Sequence, residues 1–265
     1  MAMLTRGDVE LYYESRGEGA PLLLVAGLAS DSLSWQPIIT DLAAHYRVIA
    51  VDNRGAGRTT PQTAPTTIRA MADDCVALIE HLGLASAHVL GHSMGGFVAQ
   101  DCAIRYPDKV NALVLAATSS VNSRRNNDLF SDWASALANG ADTKAWLRNL
   151  FYWLFSTRFF SNDAVVDAAI QYALTYPYPQ CPAAFQNQVD AIAAFDSTND
   201  LSRIRANTLV VAGTDDLLFP LSVCKRFANV IPNCTFVAIE NAAHSIHMEN
   251  AQAFVEHVIN FLPQR

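Results

Sequence analysis

The sequence predicts an α/β protein: a mostly parallel, twisted sheet flanked by helices, with a helical cap inserted after the sixth strand. Three observations carry this. Short apolar runs rich in Val and Leu alternate with helical patterns up to about residue 120. The alternation then stops for roughly eighty residues and resumes to the C-terminus. Of the 265 residues, 51% are hydrophobic and only 16% charged, enough apolar material for one large core.

Each element follows from its local pattern. VELYYESRG alternates apolar and polar residues and ends in Gly, as a half-exposed strand in an antiparallel hairpin would. LLLVAG, YRVIAVD, AHVLGHS and ALVLAAT are continuous apolar runs that suit parallel strands buried on both faces. Helical patterns lie between them, over Trp35 to Ala44, Thr66 to Leu82, and Gly95 to Tyr106 before Pro107. Past Ser119 come four helical patterns without a strand: Asn122 to Asn139, Asp142 to Phe155, Asp163 to Tyr176 and Ala183 to Phe195. YPYPQCP breaks the last two apart. NTLVVAG, a helix over Leu221 to Val230, the strand TFVAIE and a helix over Asn250 to Leu262 complete the sheet pattern. Residues 1–120 and 200–265 are thus expected to form the core, and 121–199 the cap.

Composition excludes several partners. A net charge of −7, with eighteen scattered Lys and Arg, speaks against nucleic acid and against anionic membrane surfaces. No apolar run approaches the roughly 20 residues of a membrane-spanning helix, and the N-terminus lacks the pattern of a secretory signal. Five dispersed cysteines with no Cys-x-x-Cys pair suit free thiols in a reducing compartment, so a cytoplasmic protein is expected. A homo-oligomer is compatible with all of this. The glycines of RGAGRTT lack the third Gly of a dinucleotide fingerprint, and GHSMGG lacks the Lys of a phosphate loop. No His, Cys and Asp cluster has metal-ligand spacing, so neither cofactor nor metal is expected.

The chemistry concentrates around Ser93. In Gly91-His92-Ser93-Met94-Gly95 the glycines sit where side chains would clash in a sharp strand-to-helix turn, which would lift the Ser hydroxyl clear of the sheet. The bland reading is a helix N-cap, a role Ser often fills. A Ser nucleophile needs a His base oriented by an acid. The strand NTLVVAG runs into Thr214-Asp215-Asp216, and TFVAIE is followed by His244-Ser245-Ile246-His247, both at the carboxyl edge of the sheet. From the residues alone, Asp215 competes with Asp216, and His247 with His244. His92, the last residue of its strand, is expected to point across the sheet, away from the hydroxyl.

With these motifs in view, the chain resembles the α/β-hydrolase family, in its small esterase, lactonase and C–C-bond hydrolase branch, which includes oxoadipate enol-lactonase-like proteins. GHSMGG matches the nucleophile turn, GTDDLLFP the G-x-x-D-x-x-x-P acid loop, HSIHMENAQAF the H-x-x-x-x-E segment, and VDNRGAGRTT the D-x-R-G-x-G-x-S stretch. The resemblance spans nearly the whole chain. It implies Ser93 as nucleophile, Asp216 as orienting acid, His244 as base, and the backbone amides of Leu28 and Met94 as oxyanion donors. The family's His-Gly before the oxyanion residue is replaced here by Ala26-Gly27. Dehalogenase and epoxide-hydrolase chemistry are disfavoured, because those relatives have Asp where this chain has Ser93.

The expected activity is therefore that of a serine carboxylesterase or lactonase acting on a small apolar ester or lactone. The same triad serves C–C hydrolysis of ring-cleavage products and haloperoxidase-like peracid formation in relatives. A ligand receptor on a hydrolase scaffold is the alternative that needs no turnover. FYWLFSTRFF, residues 151–160, carries six aromatics. These either glue the cap together or wall an apolar pocket above Ser93, with Phe151, Trp153 and Phe155 as candidate substrate contacts.

Overall fold

Eight strands form one sheet in the computed structural model of the chain, which describes residues 2–264. β1 (Ala2–Arg6) and β2 (Val9–Arg16) make an antiparallel hairpin, and β2 runs antiparallel to β4 (Arg47–Val51). The other strands are parallel: β3 (Pro21–Val25), β5 (Ala87–His92), β6 (Val110–Ala116), β7 (Asn207–Gly213) and β8 (Cys234–Ile239). Their order is β1-β2-β4-β3-β5-β6-β7-β8. β1 has no counterpart among the predicted elements beyond the expected hairpin, since AMLTR is one short, half-exposed edge strand.

The apolar runs are buried on both faces, as parallel strands covered by helices must be. Leu23, Val25, Val89, Leu113, Leu115 and Val210 face one core with α2 (Ile68–His81), α3 (Met94–Arg105) and α8 (Leu221–Ala228). Leu22, Leu24, Leu90, Val114 and Val211 face the other, with α1 (Gln36–Ala43) and α10 (Ala251–Phe261). A short helix, α9 (Ile246–Glu249), precedes α10. The predicted helix at Trp35 starts differently. Asp31 accepts a hydrogen bond from the Leu33 amide and caps a 3-10 turn over Ser32–Trp35, and α1 follows with Pro37 in its first turn.

Between β6 and β7 lie α4 (Arg124–Ala138), α5 (Thr143–Leu154), α6 (Asp163–Leu174) and α7 (Pro182–Ala193). Ser123, Asp142 and Asn162 cap the first three by accepting backbone hydrogen bonds. The excursion closes where it opened: Val121 bridges Asp196, and the Ser197 amide donates to the Ser120 carbonyl at 3.0 Å. No described helix is long and apolar enough to cross a membrane.

The chain leaves β3 toward β4 on one side and leaves the neighbouring β5 toward β6 on the other, so the two connections depart from adjacent carboxyl ends in opposite directions. This reversal opens a crevice at the carboxyl edge of β3 and β5, where sheets of this kind build their sites. The loops after β7 and β8 end on the same edge.

Candidate active site

Ser93 occupies the turn between β5 and α3 with φ 54 and ψ −119. A positive φ is costly for Ser and persists only where its surroundings hold it. Here the Ser93 amide donates to the Ala116 carbonyl at 2.9 Å and the Thr118 hydroxyl donates to the Ser93 carbonyl at 3.0 Å. Gly95 is required for close approach, because a Cβ there would overlap the Val25 carbonyl. Ser93 stands at the N-cap position, yet its hydroxyl makes no capping hydrogen bond. It lines a cavity of about 700 Å³ beneath α4–α7 instead.

The other carboxyl-edge loops bring Asp216 and His244 together. His244 Nδ1 lies 3.0 Å from Asp216 Oδ2, with both side chains buried. A carboxylate only accepts, so Nδ1 carries the proton and Nε2 keeps its lone pair. Asp216 Oδ1 accepts the amides of Leu218 at 2.8 Å and Phe219 at 2.9 Å, which fixes the carboxylate plane. Asp215 is exposed and bonds only to its neighbour Thr214 through its side chain. The geometry thus separates the two acids that spacing left in competition.

The histidines separate as well. His244 lines the same cavity as Ser93. His92 does not point clear of the site as expected: its Nε2 donates to the His244 carbonyl at 2.9 Å, and its ring lies 4.9 Å from that of His244. The alternation of the strand does send it to the far face, but the His244 loop folds over that face and meets it. Burial, with His247 and His244 nearby, holds the His92 pKa well below its ordinary value. His247 is enclosed by Trp35 and His92, each 4.7 Å away between ring centres, and neither ring nitrogen completes a hydrogen bond. Burial, with His244 nearby, lowers its pKa to about 3. The neutral aromatic packing of His247 explains its place in the first turn of α9.

The amides of Leu28 and Met94, the expected oxyanion donors, find no acceptor among the described residues. Leu28 lines the cavity. Gly27 brings the loop against the turn at Ser93, since a Cβ there would stand 3.1 Å from Ser93 Cβ. Ala26, in place of the family's His, is buried among Leu22, Leu24 and Trp35. Its carbonyl accepts Asn53 Nδ2 at 3.0 Å. In the VDNRGAGRTT stretch, buried Asp52 accepts the Ser32 amide at 2.9 Å and Arg58 Nε at 2.9 Å, tying this loop to its neighbour.

Of the three predicted substrate contacts, Phe151 and Phe155 line the cavity and Trp153 does not. Positions 143, 146, 147, 150, 151 and 154 form the cavity face of α5 at helical spacing, and Trp153 stands just past the edge of that face, under the Arg125 guanidinium. Phe159 and Phe160 pack within the cap. The remaining aromatic wall comes from Phe130, Trp133, Trp146, Tyr172, Tyr176 and Phe185. Helical periodicity does not separate Trp153 from Trp146, which stand seven residues apart on one side of α5; only the packing of the neighbouring helices does. Two polar groups that sequence reasoning missed also line the cavity, Asp31 and Tyr176, whose Oη donates to Asp31 Oδ2 at 2.5 Å. Burial pushes the Asp31 pKa up while the Tyr176 hydroxyl draws it back.

The description "alpha/beta hydrolase fold" matches residues 20–251 of the chain. The chain belongs to the alpha/beta hydrolase fold family. A hydrolase of Caulobacter sp. (strain K31), named as carbamate hydrolase RutD, is 33% identical over 259 residues, 95% of each chain. A protein of Mycobacterium tuberculosis (strain CDC 1551 / Oshkosh), named as non-heme bromoperoxidase BpoC, is 30% identical over 261 residues, 96% of this chain and 97% of the relative. The crystal structure of the enol-lactonase from Burkholderia xenovorans LB400 superposes with a TM-score of 0.89 at 25% identity, covering 98% of this chain and 99% of the other. The chain is thus an enzyme of the hydrolase class, with an eight-stranded, mostly parallel sheet.

Proposed function

We propose that the protein is a serine hydrolase cleaving small apolar carboxylic esters or lactones through an acyl-enzyme on Ser93. The observation that carries this is the Ser93 hydroxyl, held at φ 54, free of any capping bond and lining the same cavity as His244. Ser93 Oγ attacks the carbonyl carbon as His244 Nε2 takes its proton, and Asp216 stabilises the resulting imidazolium. The amides of Leu28 and Met94 donate to the oxyanion. His244 then protonates the leaving alcohol oxygen, and a water repeats the sequence to release the acid. The aromatic walls suit an apolar acyl or alcohol group, and the likeness to an enol-lactonase supports a cyclic ester among the substrates.

The likeness to a protein named as a bromoperoxidase favours a second reading, in which hydrogen peroxide replaces water as acceptor of the acyl group and a peracid leaves. A panel of simple esters, lactones, a carbamate and a vinylogous diketone, each with and without peroxide, ranks these reactions. Short p-nitrophenyl esters test the core of the proposal: Ser93→Ala is expected to lower kcat by about 10³-fold or more. Equal rates of nitrophenol release from Ser93→Ala and wild type would sink it, and would leave the receptor reading.

A further inference from the structure

The loop after β3 has to present the Leu28 amide, and its backbone is unusual at the next residue. The Ser30 amide donates to the Gly27 carbonyl at 3.3 Å, closing a turn with Leu28 and Ala29 at its centre. Ala29 has φ 57. A positive φ at the third position marks a type II turn, which favours Gly there, whereas Ala favours the type I form. The two forms differ by a flip of the central peptide, which carries the Leu28 carbonyl and the Ala29 amide.

That peptide is held from the cap. Gln188 of α7 is fully buried, and its Oε1 accepts the Ala29 amide at 3.3 Å across 159 residues of sequence. Its orientation is set on both sides: Nε2 donates to the Arg54 carbonyl at 2.8 Å, and Oε1 also accepts Gln180 Nε2 at 3.0 Å. In the flipped turn the Leu28 carbonyl would replace the Ala29 amide in front of Oε1, setting two acceptors against each other. Ala26 supplies no polar side chain to hold the loop from below, and Asn53 reaches only the Ala26 carbonyl.

We infer that Gln188 is a positioning residue: it holds the Leu28–Ala29 peptide in the type II form and so fixes in place the residue whose amide, on the preceding peptide, would meet the oxyanion, coupling cap docking to catalysis. The inference rests on the Ser93 reading above. It assigns to the cap a role in the chemical step besides enclosing the substrate.

The test is steady-state hydrolysis of a p-nitrophenyl ester and of the matching thionoester, whose developing sulfur anion gains less from oxyanion donors. Gln188→Met is expected to lower kcat for the ester by about 10- to 100-fold, with KM within about twofold and a falling ester-to-thionoester ratio. Ala29→Gly in the Gln188→Met background should restore most of the loss, because Gly adopts the positive φ unaided. Ala29→Val should reproduce the loss from the loop side, which keeps the test usable if Gln188→Met does not fold. Gln62→Ala cuts two other core-to-cap bonds, to the Cys181 amide and the Pro179 carbonyl, and should leave the ratio at its wild-type value. The inference is overturned if Gln62→Ala and Gln188→Met lose activity alike, if ester and thionoester fall in parallel, or if Ala29→Gly restores nothing. A Ser93→Ala enzyme as active as wild type would instead remove the underlying reading, and this inference with it.

Discussion

Asp216 and Asp215 are adjacent in sequence and differ entirely in surroundings. Asp216 is 4% exposed, accepts two amides through one oxygen and contacts His244 through the other, while Asp215 faces solvent. Asp216→Asn preserves the shape but offers an amide N–H or a weaker acceptor to Nδ1, which disturbs the tautomer that leaves Nε2 basic. Its kcat on a p-nitrophenyl ester is expected to fall by about 10²- to 10⁴-fold, against less than about threefold for Asp215→Asn. A larger loss in Asp215→Asn would reassign the acid. The spacing to Pro220 pointed to Asp216 through family resemblance, but only the buried contact with His244 gives that choice a physical reason.

At the scale of elements, the loop from β8 to α9 carries His244 and is tied to the cap by one side chain. Glu249 Oε1 accepts the Ser156 amide at 3.0 Å and the Ser156 hydroxyl at 2.6 Å, and Oε2 accepts the Ala243 amide at 2.7 Å. The Ser245 amide adds a bond to the Leu154 carbonyl at 2.9 Å. Glu249→Ala leaves three donors without their charged acceptor, and a loss of about 2–4 kcal/mol is expected in urea denaturation. It should also lower kcat, because the freed Ala243 amide adjoins His244, the proposed base. Glu249→Gln, which keeps an acceptor oxygen, should lose less of both. The H-x-x-x-x-E pattern was visible as a string. Its reason was not, since Ser156 stands 93 residues away.

For the whole molecule, the buried histidines determine how stability responds to acid. The pKa values of His92, His247 and His88 all lie below the ordinary value, with burial as the largest cause, and each residue is at most 7% exposed. The folded chain therefore holds them neutral where the unfolded chain protonates them, near pH 6.5. Their contribution is complete above that pH and is lost as pH falls toward their lowered values, about 3 for His247. Each group adds a slope of about 1.4 kcal/mol per pH unit, so the three together reach at most ~4 kcal/mol per unit. Asp31, raised by burial, acts in the opposite sense: its contribution is present at low pH and lost as pH rises through its raised value. Urea midpoints should drop between pH 7.5 and pH 5, and His247→Phe, which breaks no hydrogen bond, should flatten that slope by the share of one proton. A midpoint independent of pH would contradict the buried, neutral imidazoles.

Local pattern by itself determined the alternation of buried strands and helices, the strained turn at Ser93 and the carboxyl-edge loops holding the acid and the His. Those features are written in neighbouring residues: unbroken apolar runs, Gly where a Cβ would meet backbone, and turn residues where a strand must stop. Tertiary structure decided which of two acids and two histidines meet, which aromatics face the cavity and what holds the loop of Leu28 and Ala29. The Gln188–Ala29, Tyr176–Asp31 and Ser156–Glu249 bonds span 159, 145 and 93 residues. Each joins the segment between β6 and β7 to the rest of the chain, and no periodicity records it, because it exists only once that segment has packed over the sheet.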